Sequence, residues 1–365
     1  MSQHQAELAA EGRTQHPEQP EQPVQAVSPA DGAVDRRRRR VGKRRRDEHQ
    51  MVPDAVFTSY YGRPIVKASP WEADIPAYLF LGGVAAGSSL LGAGAGLTGR
   101  PVLRRAGRIS ALGAISVSFA ALVHDLGRPS RFVNMLRVAK PTSPMSVGTW
   151  ILTAYGPLAG AAGAAELLTP LASRLPSAAR PPIRLLGRLA GPAGLGAAVV
   201  APAVASYTAV LLTNTSTPTW SAARKHLPFV FVGSAAAASG GLGMMLAPVS
   251  EAGPARRLAL GGALLELGVE RSMEASMGIT AEPLHQGTGG VLMRASKTLT
   301  ALGAIGSLFG GRNRLAAALS GACLMAGSAC TRFGVFEAGQ ASARDPKYTV
   351  VPQRQRIERG ESAGA

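Results

Sequence analysis

The 365-residue chain is short of charge, cysteine, histidine and aromatic side chains. Charged residues make up 17%, against about 25% in ordinary soluble domains. No Asp, Glu, Lys or Arg occurs in residues 76–99, 141–165, 189–223 or 227–250. A soluble helix has to show one face to water, so uncharged runs of this length argue against a single soluble domain. The two cysteines, Cys323 and Cys330, stand seven apart in one apolar segment. They share a helix face, cannot close a disulfide at that spacing, and have no histidine nearby to make a metal site. A disulfide scaffold is excluded, and the pair reads as small core residues.

Histidine scarcity excludes more. A membrane cytochrome takes axial ligands, usually His, from within its spans. Of His4, His16, His49, His124, His226 and His285, only His124 closes a clear apolar run. A haem held wholly by this chain is not expected. Neither is an iron–sulphur cluster, for want of a cysteine cluster, and no Walker A motif occurs. Redox work would therefore need partners or a diffusible carrier.

What is present is an apolar, Gly- and Ala-rich chain with a basic N-terminal tail and a formal net charge of +17. The fold class expected is all-α, a polytopic membrane bundle of about eight helices. The expected organisation is a disordered polybasic tail at 1–50, an interfacial segment at 51–75, a transmembrane domain at 76–340 and a C-terminal tail at 341–365. The tail cannot bury enough apolar surface to offset its ordering entropy. Its Arg36–Arg40 and Lys43–Arg46 runs carry no interleaved aromatics, which favours anionic lipid over nucleic acid as partner. No apolar run follows Arg36–Arg40, so a cleaved signal is rejected. Tyr60, Tyr61 and Trp71 suit the interfacial aromatic belt.

The spans fall at about 76–98, 106–126, 146–168, 190–213, 228–248, 256–276, 295–311 and 314–336. A crossing helix needs about 20 apolar residues. Six satisfy that comfortably, whereas the sixth carries Glu266 and Glu270 and the seventh is short. Glycines such as Gly92, Gly94 and Gly96, and the stretch Gly233–Gly243, would let helices approach closely in lipid. An even number of spans puts both termini on one side. Of the 39 Lys and Arg residues, 27 fall on the N-terminal side and 12 on the other. The positive-inside rule then predicts cytoplasmic termini.

The densest polar cluster is His124-Asp125-Leu126-Gly127-Arg128-Pro129-Ser130-Arg131-Phe132 at the end of the second span. A His and an Asp at a membrane boundary must pair or face a cavity, and together they could accept and pass a proton. The alternative is that Asp125 pairs with Arg128 or Arg131 and braces the loop. In the next loop, Ser146 or Thr149 is placed to cap the third helix. Glu266 and Glu270, four apart, would share a helix face as a possible proton relay. Pairing with Arg256, Arg257 or Arg271 is the alternative. Arg224, Lys225 and His226 read as an interfacial basic cluster.

Three stretches resemble the NrfD/polysulphide-reductase membrane-subunit family: Tyr60–Pro64 with Trp71 and Ile75–Gly83, His124–Pro129, and Lys140–Gly148. The resemblance covers about 55–350. It implies an eight-helix subunit without haem that binds a quinone, menaquinone or ubiquinone, near one membrane face. It also implies docking of a four-cluster ferredoxin-like iron–sulphur subunit, linked to a molybdenum or tungsten oxidoreductase of formate dehydrogenase or polysulphide reductase type. The residues it carries over to the quinone pocket are His124 and Asp125, with Arg128 beside them. The competing class is a transporter or ion-conducting protein using Glu266 and Glu270, against which the absence of an inverted repeat counts.

Overall fold

The computed structural model describes residues 64–128, 130–174 and 176–360. The tail at 1–50, its arginine runs, Tyr60, Tyr61 and Pro129 lie outside the described residues. Eight long helices follow one another: α1 (Asp74–Leu97), α2 (Pro101–Asp125), α3 (Pro144–Leu168), α4 (Arg180–Thr213), α5 (Leu227–Leu246), α6 (Gly253–Met277), α7 (Gly287–Phe309) and α8 (Arg314–Arg344). A shorter α9 (Lys347–Glu358) occupies part of the expected C-terminal tail. Among the described residues there is no strand, so the expected all-α membrane bundle is what forms. Six helices, α1 to α5 and α8, are long and apolar enough to cross a membrane. The two that fall short are the sixth and seventh, the same two that their charges and length set apart in the sequence.

Local sequence explains where the helices start. Proline stands in the first turn of α2, α3, α4, α5 and α6, where its missing N–H would have had no partner. Glu251, on the α5–α6 loop, accepts from the Val102 and Leu103 amides at 2.8 and 3.0 Å and so caps α2 from a distant segment. Asn313 caps α8 by accepting from Leu315 N at 2.8 Å. The expected cap of α3 by Ser146 or Thr149 is not made. α3 starts earlier, at Pro144, which puts both hydroxyls inside the helix. Ser146 Oγ instead accepts from Lys140 N and donates to Val138 O, each at 2.9 Å, tying down the preceding loop. Thr149 donates back to Met145 O.

Sequential helices pair as antiparallel hairpins, α1 with α2, α3 with α4, α5 with α6 and α7 with α8. α1 and α5 form the centre, touching each other and both α4 and α8. Small residues bring the backbones together, as the composition led one to expect. A Cβ on Gly107 would lie 2.7 Å from Ser88 O and Gly92 N, and one on Gly240 2.5 Å from Ala259 N. Crossings this close are open only to glycine. The outward faces carry exposed apolar side chains such as Val199, Leu264, Leu308 and Leu315, which suits contact with lipid.

The alternating directions place the start of α1, the ends of α2, α4, α6 and α8, and the starts of α3, α5 and α7 on one face, here the N-terminal face. α9 lies there too, tied by a 2.6 Å bond from Lys347 Nζ to Glu282. That bond holds the Glu282 carboxyl below its ordinary range and raises the Lys347 ammonium. On the opposite face, Glu166 of α3 accepts from Arg104 and Arg108 of α2, both at 2.9 Å. Cys323 and Cys330 are free thiols on α8, half-buried rather than fully buried.

Candidate functional site

The end of α2 meets the start of α1 at the N-terminal face. His124 Nδ1 lies 2.6 Å from Asp74 Oδ2. The His124 side chain is 81% exposed and that of Asp74 34%, so the pair sits at the rim, and Nε2 has no hydrogen-bond partner among the described residues. Asp125, the sequence neighbour, is half-buried beside Asp74 and the Glu72 backbone. Successive residues on a helix point about 100° apart, so His124 bonds Asp74 directly while Asp125 approaches it from the Glu72 side. The anticipated alternative, an Asp125 pair with Arg128 or Arg131, is not found among the described residues. Arg131 donates instead to Leu126 O at 3.4 Å, and Arg128 is exposed. Gly127 turns the chain out of α2 at φ +66°, a left-handed conformation that favours glycine, which accounts for its place in the motif.

Beneath this rim a cavity of about 340 Å³ opens between α1, α2, α3 and the short helix Arg131–Met135. Its wall is largely apolar, with Tyr78, Ser116, Ser118 and Thr153 as the polar members. Phe119 and Phe132 meet edge-to-face over it, ring centres 4.8 Å apart. Ser118 Oγ donates to Tyr78 O at 3.0 Å and fixes α2 against α1 at that level. Neither His124, Asp125 nor Arg128 lines the cavity. Tyr78 follows Asp74 by four residues on α1, which is one turn, about 6 Å along the axis and on the same face. The His124–Asp74 pair therefore stands one turn above the cavity.

A family model, described as Polysulphide reductase, NrfD, matches residues 65–263, more than half of the chain. The chain belongs to the NrfD family. Membership makes it a membrane subunit of a polysulphide-reductase-like oxidoreductase complex. Among curated proteins, nothing matches it. The NrfD match takes in the α1–α3 cavity, the rim and the Lys140–Gly148 loop. It begins just after Tyr60–Pro64 and ends three residues before Glu266, so it is narrower than the resemblance drawn from the sequence.

The second polar group of this NrfD chain lies in the α5–α8 half. Glu266 and Glu270 are each 1% exposed. Their expected alternative partners, Arg256, Arg257 and Arg271, make no ion pair with them among the described residues. Both Arg256 and Arg257 fall too near the start of α6, and Arg271 points outward. The counter-charges are two residues that sequence reading passed over. Lys297 of α7 stands 3.6 Å from Glu270, and Arg332 of α8 lies near Glu266. Arg332 is itself 1% exposed, donating to Phe231 O at 2.8 Å with its guanidinium 3.8 Å above the Phe231 ring. It is one of the 27 basic residues that the sequence assigns to the N-terminal side, and in the fold it belongs to the interior.

Trp71, expected in the interface belt, stacks at 6.1 Å on Trp220, whose Nε1 donates to Val335 O at 2.8 Å. Gln340 Nε2 donates to the Ser69 and Trp71 carbonyls, fastening the segment before α1 to the end of α8.

Proposed function

We propose that the chain is the quinone-reactive anchor of its complex, passing electrons between an iron–sulphur subunit of the four-cluster ferredoxin type and the membrane quinone pool. The observation that carries this reading is the apolar cavity one turn below the His124–Asp74 pair. Its size falls in the range of small-molecule sites, about 300–1,000 Å³. A quinol supplies two electrons and two protons when it is oxidised. The cavity's apolar and aromatic side chains hold a ring and exclude water, with Tyr78, Ser116 and Thr153 among its few polar residues. His124, with Nδ1 held by Asp74, keeps Nε2 toward solvent, where it takes up a proton and releases it. Arg128 adds positive charge beside the mouth. The catalytic partner would be a molybdenum or tungsten enzyme. Cytoplasmic termini would put that partner inside, and formate dehydrogenase is the type favoured on that ground.

Gly156 lines the cavity, and nothing stands within 4 Å of a Cβ placed there. Gly156→Leu therefore fills the space without moving the backbone. Quinone-linked turnover per assembled complex should fall about tenfold or more, the equivalent of about 1.4 kcal/mol, while artificial-dye activity of the catalytic partner stays unchanged. Undiminished quinone turnover would remove the cavity from the reaction. The orientation is tested by fusing a reporter active only in the periplasm to Ala365. Little periplasmic signal is expected, and a strong signal reverses the side on which the rim opens.

A further inference from the structure

Glu266, Glu270 and Glu274 follow one another at four-residue spacing along α6. That puts them on one face, about 6 Å apart along the axis. Exposure rises toward the N-terminal face, from two buried residues to a half-buried Glu274. At the open end, Lys297 Nζ donates to Glu274 at 2.7 Å, and His285 Nε2 lies 3.9 Å away on its other oxygen. Lys297 also leans toward Glu270. At the closed end, Thr331 donates to Glu266 Oε1 at 2.6 Å and is itself bonded to Ser296 at 2.6 Å. Ser234 lies alongside from α5, and Arg332 ends the file.

This file leaves many polar atoms open. Glu266 Oε2, both Glu270 oxygens, Arg332 Nε and Arg332 Nη1 are buried without a hydrogen-bond partner among the described residues. Each such atom costs about 1–3 kcal/mol, so bracing alone is a poor account of the cluster. Charge counting points the same way. Three carboxylates face two fixed cations, Lys297 and Arg332, with His285 3.9 Å from the outermost. Neutrality of the group requires one further proton.

We propose that Glu274, Glu270 and Glu266 form a proton-loading file that opens at the N-terminal face and closes at Arg332. As an O–H bond of a hydronium ion, or the Nε2–H bond of a protonated His285, breaks and leaves water or the neutral imidazole, an O–H bond forms on Glu274. That bond breaks as one forms on Glu270, and the same exchange delivers the proton to Glu266. No electrons move, and Lys297 returns to the carboxylate that is left ionised. The file lies beyond the NrfD match and does not depend on the quinone reading.

The test is infrared spectroscopy of the full chain in lipid nanodiscs, which needs neither quinone nor partner subunits. A protonated buried carboxyl has a C=O stretch that shifts when its proton is replaced by deuterium. The wild-type chain should show such a band, exchanging on transfer to D2O. Glu270→Gln should keep a Glu266 contribution but slow its exchange at least about tenfold, the lower range for a positioned proton-transfer group. Glu274→Gln, at a half-buried position nearer the surface than Glu270, should slow exchange while the chain stays folded, and serves if Glu270→Gln misfolds. Absence of a protonated carboxyl, or unchanged exchange in the variants alongside lowered thermal stability, would mean that the file only braces the helices.

Discussion

Arg332→Met should leave little folded protein in the membrane, and adding Glu266→Gln should restore much of it. Arg332 is the largest charged side chain in the interior, and its guanidinium makes one carbonyl bond and one ring contact, with the Glu266 carboxylate nearby. Removing one member of a buried ionic group strands the other, which costs about 3–5 kcal/mol, whereas replacing both by neutral side chains is often nearly neutral. A loss of that size is a large share of the total stability of a domain. Gln keeps the acceptor for Thr331 while discharging the site. The measurement is the yield of monodisperse, detergent-extracted chain and its thermal unfolding in both single variants and the double. The coupling from that cycle should be favourable by at least about 1 kcal/mol. A double variant as poorly folded as Arg332→Met would instead assign the arginine's role to Phe231 alone.

The helices were legible because lipid leaves a coarse signature: long uncharged runs, proline in first turns and glycine where backbones cross. Even the weaker standing of α6 and α7 could be read from Glu266, Glu270 and a short apolar stretch. The pairings were not legible, because they join residues far apart in the chain. His124 has a carboxylate next to it in sequence, yet the carboxylate that bonds it is Asp74, fifty residues earlier, in a segment singled out for its aromatic residues. Lys297 and Arg332 look like boundary charges in sequence because both stand near the ends of apolar runs. Only the packing of α7 and α8 against α6 shows that they answer Glu270 and Glu266. The cavity was equally hidden, since its wall gathers mostly apolar residues from α1, α2, α3 and the short helix between α2 and α3.

His124→Ala should slow quinone-linked turnover at least about tenfold with the complex still assembled, and Asp74→Asn should reproduce most of that loss. The reasoning starts from the 2.6 Å contact between His124 Nδ1 and Asp74 Oδ2. An imidazole held through one nitrogen has its other nitrogen fixed in tautomer and direction, as a proton acceptor needs. Positioned acid–base groups contribute about 10²–10⁴-fold in rate, and a rim site that shares the task with water should show the lower part of that range. Asp74 acts through His124 and is a positioning residue. Its loss should therefore change the pH profile of turnover in the same sense as loss of His124, and Asp74→Glu should recover part of the rate. Because the two act as a unit, the double variant should be little slower than either single one. Asp125→Asn alone, at a residue turned toward the Glu72 backbone, should have a smaller effect, while His124→Ala combined with Asp125→Asn still loses at least about tenfold. Both singles are exposed or rim positions, so assembly measured in the same membranes should stay normal. If the pair only fastens α2 to α1, assembly will fall and turnover per assembled complex will be unchanged, which would take His124 and Asp74 out of the proton path.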